Sequence, residues 1–282
     1  MEMRERSFRS LSPAGFHHVS YTEWGNSKAS RTILCCHGLT RNGRDFDALA
    51  SVLAEDARVI CPDIVGRGRS DWLRDPAHYG YPQYCADMNA LIARLDVSEL
   101  AWIGTSMGGL IGMTLAAQPE TPIRRLVMND VGPFVPKAAL QRIADYVGLD
   151  NRFSSLAGVE THLRKILAPF GQLTDAQWDH LVRHGHRQRS DGTFGLAYDP
   201  AIASNVKAAV QDWDLWPLWD GISIPTLLLR GADSDLLLPE VATEMTKRGP
   251  LPKLVTWQDI GHAPALMAAY QICVVKEWLT AN

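Results

Sequence analysis

A series of short apolar runs divides this chain, each stopping at or just before a glycine or an aspartate. Thr32–Cys36 stops at His37-Gly38, Arg58–Pro62 at Asp63, Leu100–Ile103 at Gly104 and Arg125–Met128 at Asn129-Asp130. Thr226–Leu229 ends near Gly231, and Leu254–Trp257 ends before Gly261-His262. Runs this short, apolar at successive positions and bounded by Gly or Pro, suit strands of a parallel sheet that is covered on both faces. Between them lie segments with apolar residues at helical spacing: Phe46–Leu53, Tyr84–Leu95, Leu110–Ala117 and Ala265–Leu279. The stretch after Leu110 is apolar nearly all round, as expected of a helix buried against the centre of a sheet. The alternation predicts a doubly wound α/β fold.

One interval breaks the rhythm. From about Gly132 to Gly221 no strand pattern is visible, and helical patterns occupy Ala138–Val147, Gly158–Leu167 and Asp175–His184. The expected organisation is a core in two parts, residues 1–132 and 222–282, with an all-helical insertion over residues 133–221. An insertion leaving the C-terminal edge of a parallel sheet lies where such folds bind ligands.

Composition bounds the function. The 282 residues carry 28 Lys+Arg against 31 Asp+Glu, a formal net charge of −3, so no basic excess points to nucleic acid. At this length the core needs no disulfide or metal staple. The five cysteines, Cys35, Cys36, Cys61, Cys85 and Cys273, form no C-x-x-C pair, and three lie in apolar runs. That pattern predicts buried thiols in a reducing cytoplasm. No apolar stretch is long enough for a membrane span, and Met1–Ser7 has no signal-peptide pattern.

The sharpest local signal is Gly104-Thr105-Ser106-Met107-Gly108-Gly109. A predicted strand runs into it and a predicted helix runs out, which is the strand–turn–helix context of a G-x-S-x-G elbow. So tight a turn strains the serine backbone and requires small residues two before and two after it; Gly104 and Gly108 comply. The helix N-terminus aims free N–H groups at a site where negative charge can develop. The plainer reading has Ser106 simply capping the helix.

With its neighbours, the elbow resembles the α/β-hydrolase superfamily, in the serine branch with a helical cap. His37-Gly38-Leu39 looks like the family's oxyanion motif, and Asp63-Ile64-Val65-Gly66-Arg67-Gly68-Arg69-Ser70 like its D-x-x-G-x-G-x-S loop. Pro225–Gly231 and Gly261-His262 follow in the family's order. The resemblance implies a nucleophile–acid–histidine triad in that chain order. It makes Ser106 the nucleophile and His262 the base, with backbone N–H groups of Leu39 and Met107 forming the oxyanion hole and no cofactor or metal required. The acid is open among three aspartates. Asp235 is preferred, because it stands four residues before Pro239, a spacing common in the family. Asp233 is then a turn former, its side chain capping the loop; Asp130, at the end of the preceding strand, is the third candidate. A serine at the elbow argues against the dehalogenases and epoxide hydrolases of the family, which use Asp, and the dienelactone hydrolases, which use Cys.

Other features carry weaker signals. Gly66-Arg67-Gly68 lacks the Lys-Ser/Thr of a phosphate loop and reads as a sheet-edge loop. His180, His184 and His186 include an i,i+4 pair but no H-E-x-x-H pattern, so a metal site is not expected. Trp213, Trp216 and Trp219 read as packing at the end of the insertion, with stacking on a ligand as the alternative. The insertion's Leu140, Phe153, Leu163 and Phe170 would line an acyl pocket or form the insertion's own core. Its basic residues, Arg183, Arg187 and Arg189 with Arg164 and Lys165, read as a solvated face; alternatively Arg183 or Arg187 points into the cleft and pairs with a substrate carboxylate. The expectation is a cytoplasmic, cofactor-free serine hydrolase of small carboxylic esters: an esterase, a lactonase or a hydroxyacid-oligomer hydrolase. The alternatives are hydrolysis of a carbon–carbon bond in a ring-cleavage keto acid, peracid formation, or a ligand-binding receptor that keeps a slow triad.

Overall fold

The computed structural model describes residues 2–281. The chain opens with a hairpin, β1 (Met3–Ser12) and β2 (Gly15–Trp24), followed by β3 (Thr32–Cys36), α1 (Asp47–Leu53), β4 (Arg58–Pro62) and α2 (Tyr81–Leu95). Next come β5 (Leu100–Thr105), α3 (Met107–Ala116) and β6 (Ile123–Asn129). The inserted segment carries β7 (Phe134–Val135), α4 (Lys137–Tyr146), α5 (Leu156–Ile166), α6 (Asp175–Gly185), β8 (His186–Gln188), β9 (Phe194–Leu196), α7 (Ala203–Ala208), β10 (Trp213–Asp214) and α8 (Trp216–Asp220). The core resumes with β11 (Thr226–Gly231), α9 (Pro239–Met245), β12 (Lys253–Trp257) and α10 (Ala269–Thr280).

Eight strands form one sheet in the order β1-β2-β4-β3-β5-β6-β11-β12. The β1–β2 and β2–β4 pairs are antiparallel, and every pair from β4 onward is parallel. This is the expected doubly wound α/β architecture. Alternation along the strands explains why they are apolar at successive positions. Ile33 and Cys35 of β3 belong to one buried cluster with Leu49 of α1 and Val275 of α10. Leu34 and Cys36 belong to another with Met88 of α2 and Ile111 of α3. Each face is covered, and each fully buried Leu, Ile or Met side chain stabilises the fold by about 1.5–3 kcal/mol before entropy is counted.

The inserted segment is not all-helical. Four short strands interrupt it: β7 pairs with β10, and β8 with β9. Runs of two or three residues carry no period-2 signal, which is why the sequence pattern misses them. The β7–β10 pair joins the start of the insertion to its end. The insertion is also tied to the core. The Asn42 side chain donates to the His184 carbonyl at 2.8 Å, and the His180 ring to the Arg44 carbonyl at 2.8 Å. On the other side Gly68 N–H donates to Ala197 O at 2.8 Å, and the Tyr79 hydroxyl to Asp199 at 2.7 Å. Among the described residues no helix is long and apolar enough to cross a membrane.

Candidate active site

Ser106 sits between the end of β5 and the start of α3, with φ 52° and ψ −115°. A left-handed φ at a non-glycine residue costs on the order of 1–3 kcal/mol and persists only where neighbours enforce it. Here Ser106 N–H donates to Asn129 O at 2.9 Å, and Ser106 O accepts from Gly109 N–H at 2.8 Å. The small flanking residues are required sterically. A Cβ on Gly104 would lie 2.2 Å from Gly108 O, and one on Gly108 would lie 2.0 Å from Cys36 O. The Ser106 side chain makes no capping bond to α3. It pairs instead with His262, whose Nε2 lies 2.9 Å from Ser106 Oγ.

The other ring nitrogen identifies the carboxylate. His262 Nδ1 lies 2.8 Å from Oδ2 of Asp130. Asp130 is fully buried and also accepts from the Ser234 hydroxyl at 2.6 Å and from Gly231 N–H at 2.9 Å. These donors hold the carboxylate where a buried charge would otherwise be costly. The expectation for Asp235 is therefore corrected. Its side chain is about half exposed and forks onto Arg142, with Arg142 Nε at 2.5 Å and Nη2 at 2.9 Å. Asp233 is exposed, and the loop-capping role expected of it belongs to Ser234, whose Oγ accepts from Leu237 N–H at 3.2 Å. The physical reason is topological. β6 pairs directly with β5, so the residue after Asn129 emerges beside the elbow, whereas the turn after β11 carries Asp235 outward to solvent.

The two amides expected to stabilise an oxyanion are available. Among the described residues neither Leu39 N–H nor Met107 N–H donates a hydrogen bond, and both residues adjoin Ser106. Arg67, fully buried, ties them together: Nε donates to Leu39 O at 2.8 Å and Nη2 reaches Met107 Sδ at 3.7 Å. His37 stands at the end of β3. Its Nδ1 donates to Gly38 O at 2.7 Å and its Nε2 accepts from Ile64 N–H at 2.9 Å. Burial pushes its pKa down to about 4, which keeps the ring neutral and the acceptor nitrogen free. Asp63 accepts from Gly43 N–H and Arg69 N–H, so the glycine-rich loop is bound to its own sheet edge.

Sequence reasoning missed Asn129, Ser234 and Arg142. Buried Asn129 donates to Thr105 Oγ1 at 3.0 Å and to Pro264 O at 2.8 Å, which pins the His262 loop to the elbow. No motif marks these residues; only the pairing of β5 with β6 could have singled out Asn129.

Ser106 borders two spaces. One is a chamber of about 190 Å³ whose wall includes Leu39, Leu110, Val135, Leu140, Ile202 and Trp213. The other is a cleft of about 80 Å³ that reaches His262, Arg41, Asp45, Arg142 and Phe170. Leu140 and Phe170 thus face these spaces, while Phe153 and Leu163 pack inside the insertion. Arg183 and Arg187 do not approach Ser106: Arg183 pairs with Asp179 on the surface, and Arg187 stacks on Trp72. His180 and His184 come near Asp47, but a guanidinium, that of Arg44, already forks onto that carboxylate. His186 turns away to the Val182 carbonyl.

The chain is similar to known proteins over most of its length. A family profile described as alpha/beta hydrolase fold matches residues 31–267. The 3-hydroxybutyrate-oligomer hydrolase of Cupriavidus necator is 46% identical over 279 residues, covering 96% of this chain and 95% of that protein. A solved chain from Rickettsia typhi is 33% identical with a TM-score of 0.92, and both chains are covered in full, 100% and 100%. An alpha/beta hydrolase structure from Novosphingobium aromaticivorans is 36% identical with a TM-score of 0.87, covering 99% of this chain and 98% of that one.

Proposed function

This chain belongs to the alpha/beta hydrolase family, and from that premise we propose that it is a serine hydrolase of carboxylic esters whose substrates are short hydroxyacid oligomers. The observation that carries the reading is the unbroken chain Ser106 Oγ–His262 Nε2 and His262 Nδ1–Asp130, set at a border with an apolar chamber. A serine hydroxyl is a poor nucleophile until a base takes its proton, and His262 is in hydrogen-bond reach. The Asp130 carboxylate fixes the tautomer with the proton on Nδ1 and stabilises the imidazolium that forms. The Leu39 and Met107 amides would receive the negative oxygen, each worth roughly 3–4 kcal/mol at the transition state. Collapse of the intermediate expels the alcohol, and water then releases the acid from Ser106.

The similarity to a 3-hydroxybutyrate-oligomer hydrolase supports the substrate class. The chamber is large enough for an acyl group: at about 190 Å³ it exceeds the cavity that accepts benzene, about 150 Å³. The buried thiols Cys35, Cys36 and Cys61 fit a reducing, cytoplasmic setting. The test is turnover of a linear 3-hydroxybutyrate trimer and of p-nitrophenyl butyrate by wild type and by Ser106→Ala. Both substrates should be hydrolysed by wild type, and the variant should lose at least ~10³-fold on each. A folded Ser106→Ala that keeps more than a few per cent of the rate contradicts the serine mechanism; wild type that spares the trimer contradicts the substrate class.

A further inference from the structure

The two spaces beside Ser106 differ in their access to the proton. His262 borders the cleft and does not contribute to the chamber wall. In ester cleavage the Ser106 proton passes to His262 Nε2 as the C–Oγ bond forms. The same proton then goes to the departing alkoxide as the C–O bond breaks. The alcohol half of the substrate must therefore lie in the space that His262 borders, which leaves the acyl half for the chamber. No charged residue lines the chamber among the described residues, whereas the cleft carries Arg142.

Arg142 projects from α4, with about 44% of its side chain exposed. Asp235 engages Nε and Nη2, so the guanidinium is held in one orientation. No second carboxylate pairs with it among the described residues. It has further N–H donors besides those that Asp235 engages, near the Tyr146 hydroxyl, and their planar geometry matches a carboxylate. The cleft's other guanidinium, Arg41, is buried and forks onto Asp45 at 2.8 and 2.6 Å. Arg142 is thus the exposed cation on the leaving-group side.

We propose that Arg142, oriented by Asp235, is a carboxylate subsite for the alcohol half of the substrate. The inference rests on the ester-hydrolase reading above and gives it a direction. Of an oligomer's ester bonds, the one next to the free carboxyl end is cut first. The leaving alcohol is a single hydroxyacid bearing that carboxylate, and the shortened acyl chain remains on Ser106 until water removes it.

The test compares 3-(butanoyloxy)butanoate with its neutral N-methylamide, for wild type, Arg142→Gln and Arg142→Lys. Wild type should favour the free acid about tenfold in kcat/KM, mainly through KM, since the pair forms equally in ground and transition states. The preference should vanish in Arg142→Gln and survive in part in Arg142→Lys. Wild type that hydrolyses both alike, or a folded Arg142→Gln that keeps the preference, overturns the subsite while leaving the ester-hydrolase reading intact. Wild type that hydrolyses neither overturns that reading and this inference with it. The direction is read separately from a 3-hydroxybutyrate trimer ¹³C-labelled in its carboxyl-terminal unit. A single turnover should yield labelled monomer and unlabelled dimer. Labelled dimer with unlabelled monomer overturns the proposal.

Discussion

The aspartate that meets the His262 ring is Asp130, the third of the sequence candidates, and not Asp235. Asp130 is buried with three donors, one of them the His262 ring; Asp235 is at the surface, holding an arginine. Amidation at the carboxylate that orients the imidazole removes the imidazolium's partner and can impose the wrong tautomer. Asp130→Asn should therefore lower kcat on p-nitrophenyl butyrate by up to ~10⁴, whereas Asp235→Asn should lower it less than about tenfold. Steady-state kinetics of the two folded variants decide the assignment, and a crippled Asp235→Asn beside an active Asp130→Asn would reverse it. Ser106 and His262 were legible because a tight elbow and a histidine loop leave local residue patterns. The carboxylate that meets His262 was not, because a carboxylate is placed by which strands pair, and spacing to Pro239 says nothing of pairing.

At the scale of elements, the elbow depends on backbone-to-backbone contact. The Cβ of Gly104→Ala would meet Gly108 O, and that of Gly108→Ala would meet Cys36 O, neither of which is a side chain that can swing aside. Each substitution should cost about 3 kcal/mol or more, a fall of roughly 10 °C in Tm. Gly80→Ala, with its nearest neighbour 3.7 Å away, should cost far less. Thermal unfolding of the three variants measures this, and equal losses would show that the close approach is not what holds the turn. The central strands were legible because two-sided burial makes them continuous apolar runs; β3 and β4 fall on their expected bounds. Gly104 and Thr105 still pair with Met128 and Asn129, so β5 runs beyond its apolar run to the serine. The insertion's helices follow their apolar periodicity, but β7 to β10 rest on tertiary pairing and have no local signature.

For the molecule as a whole, acid stability follows from the buried neutral His37. Its folded pKa is about 4, against an ordinary value of about 6.5, because burial disfavours the charged ring. Between those values the unfolded chain binds a proton that the folded chain does not. Stability should therefore fall as pH drops from about 6.5 to about 4, by a total of roughly 3 kcal/mol from this group. Protonation would also remove the acceptor for Ile64 N–H and disturb the strand end that presents Leu39. Urea midpoints measured from pH 7.5 to 4.5 should decline in wild type and decline less steeply in His37→Gln. Parallel slopes would mean that the ring is not what couples folding to pH.

The chemistry itself is tested most directly by trapping the covalent intermediate. Wild type mixed with p-nitrophenyl butyrate, quenched in acid during the first turnovers and digested, should show a butanoyl mass increment on the peptide that contains Ser106. Ser106→Ala should show none, and Asp130→Asn should accumulate it more slowly. A modified residue other than Ser106, or multiple turnovers with no acylated peptide at any time point, would contradict a serine acyl-enzyme mechanism.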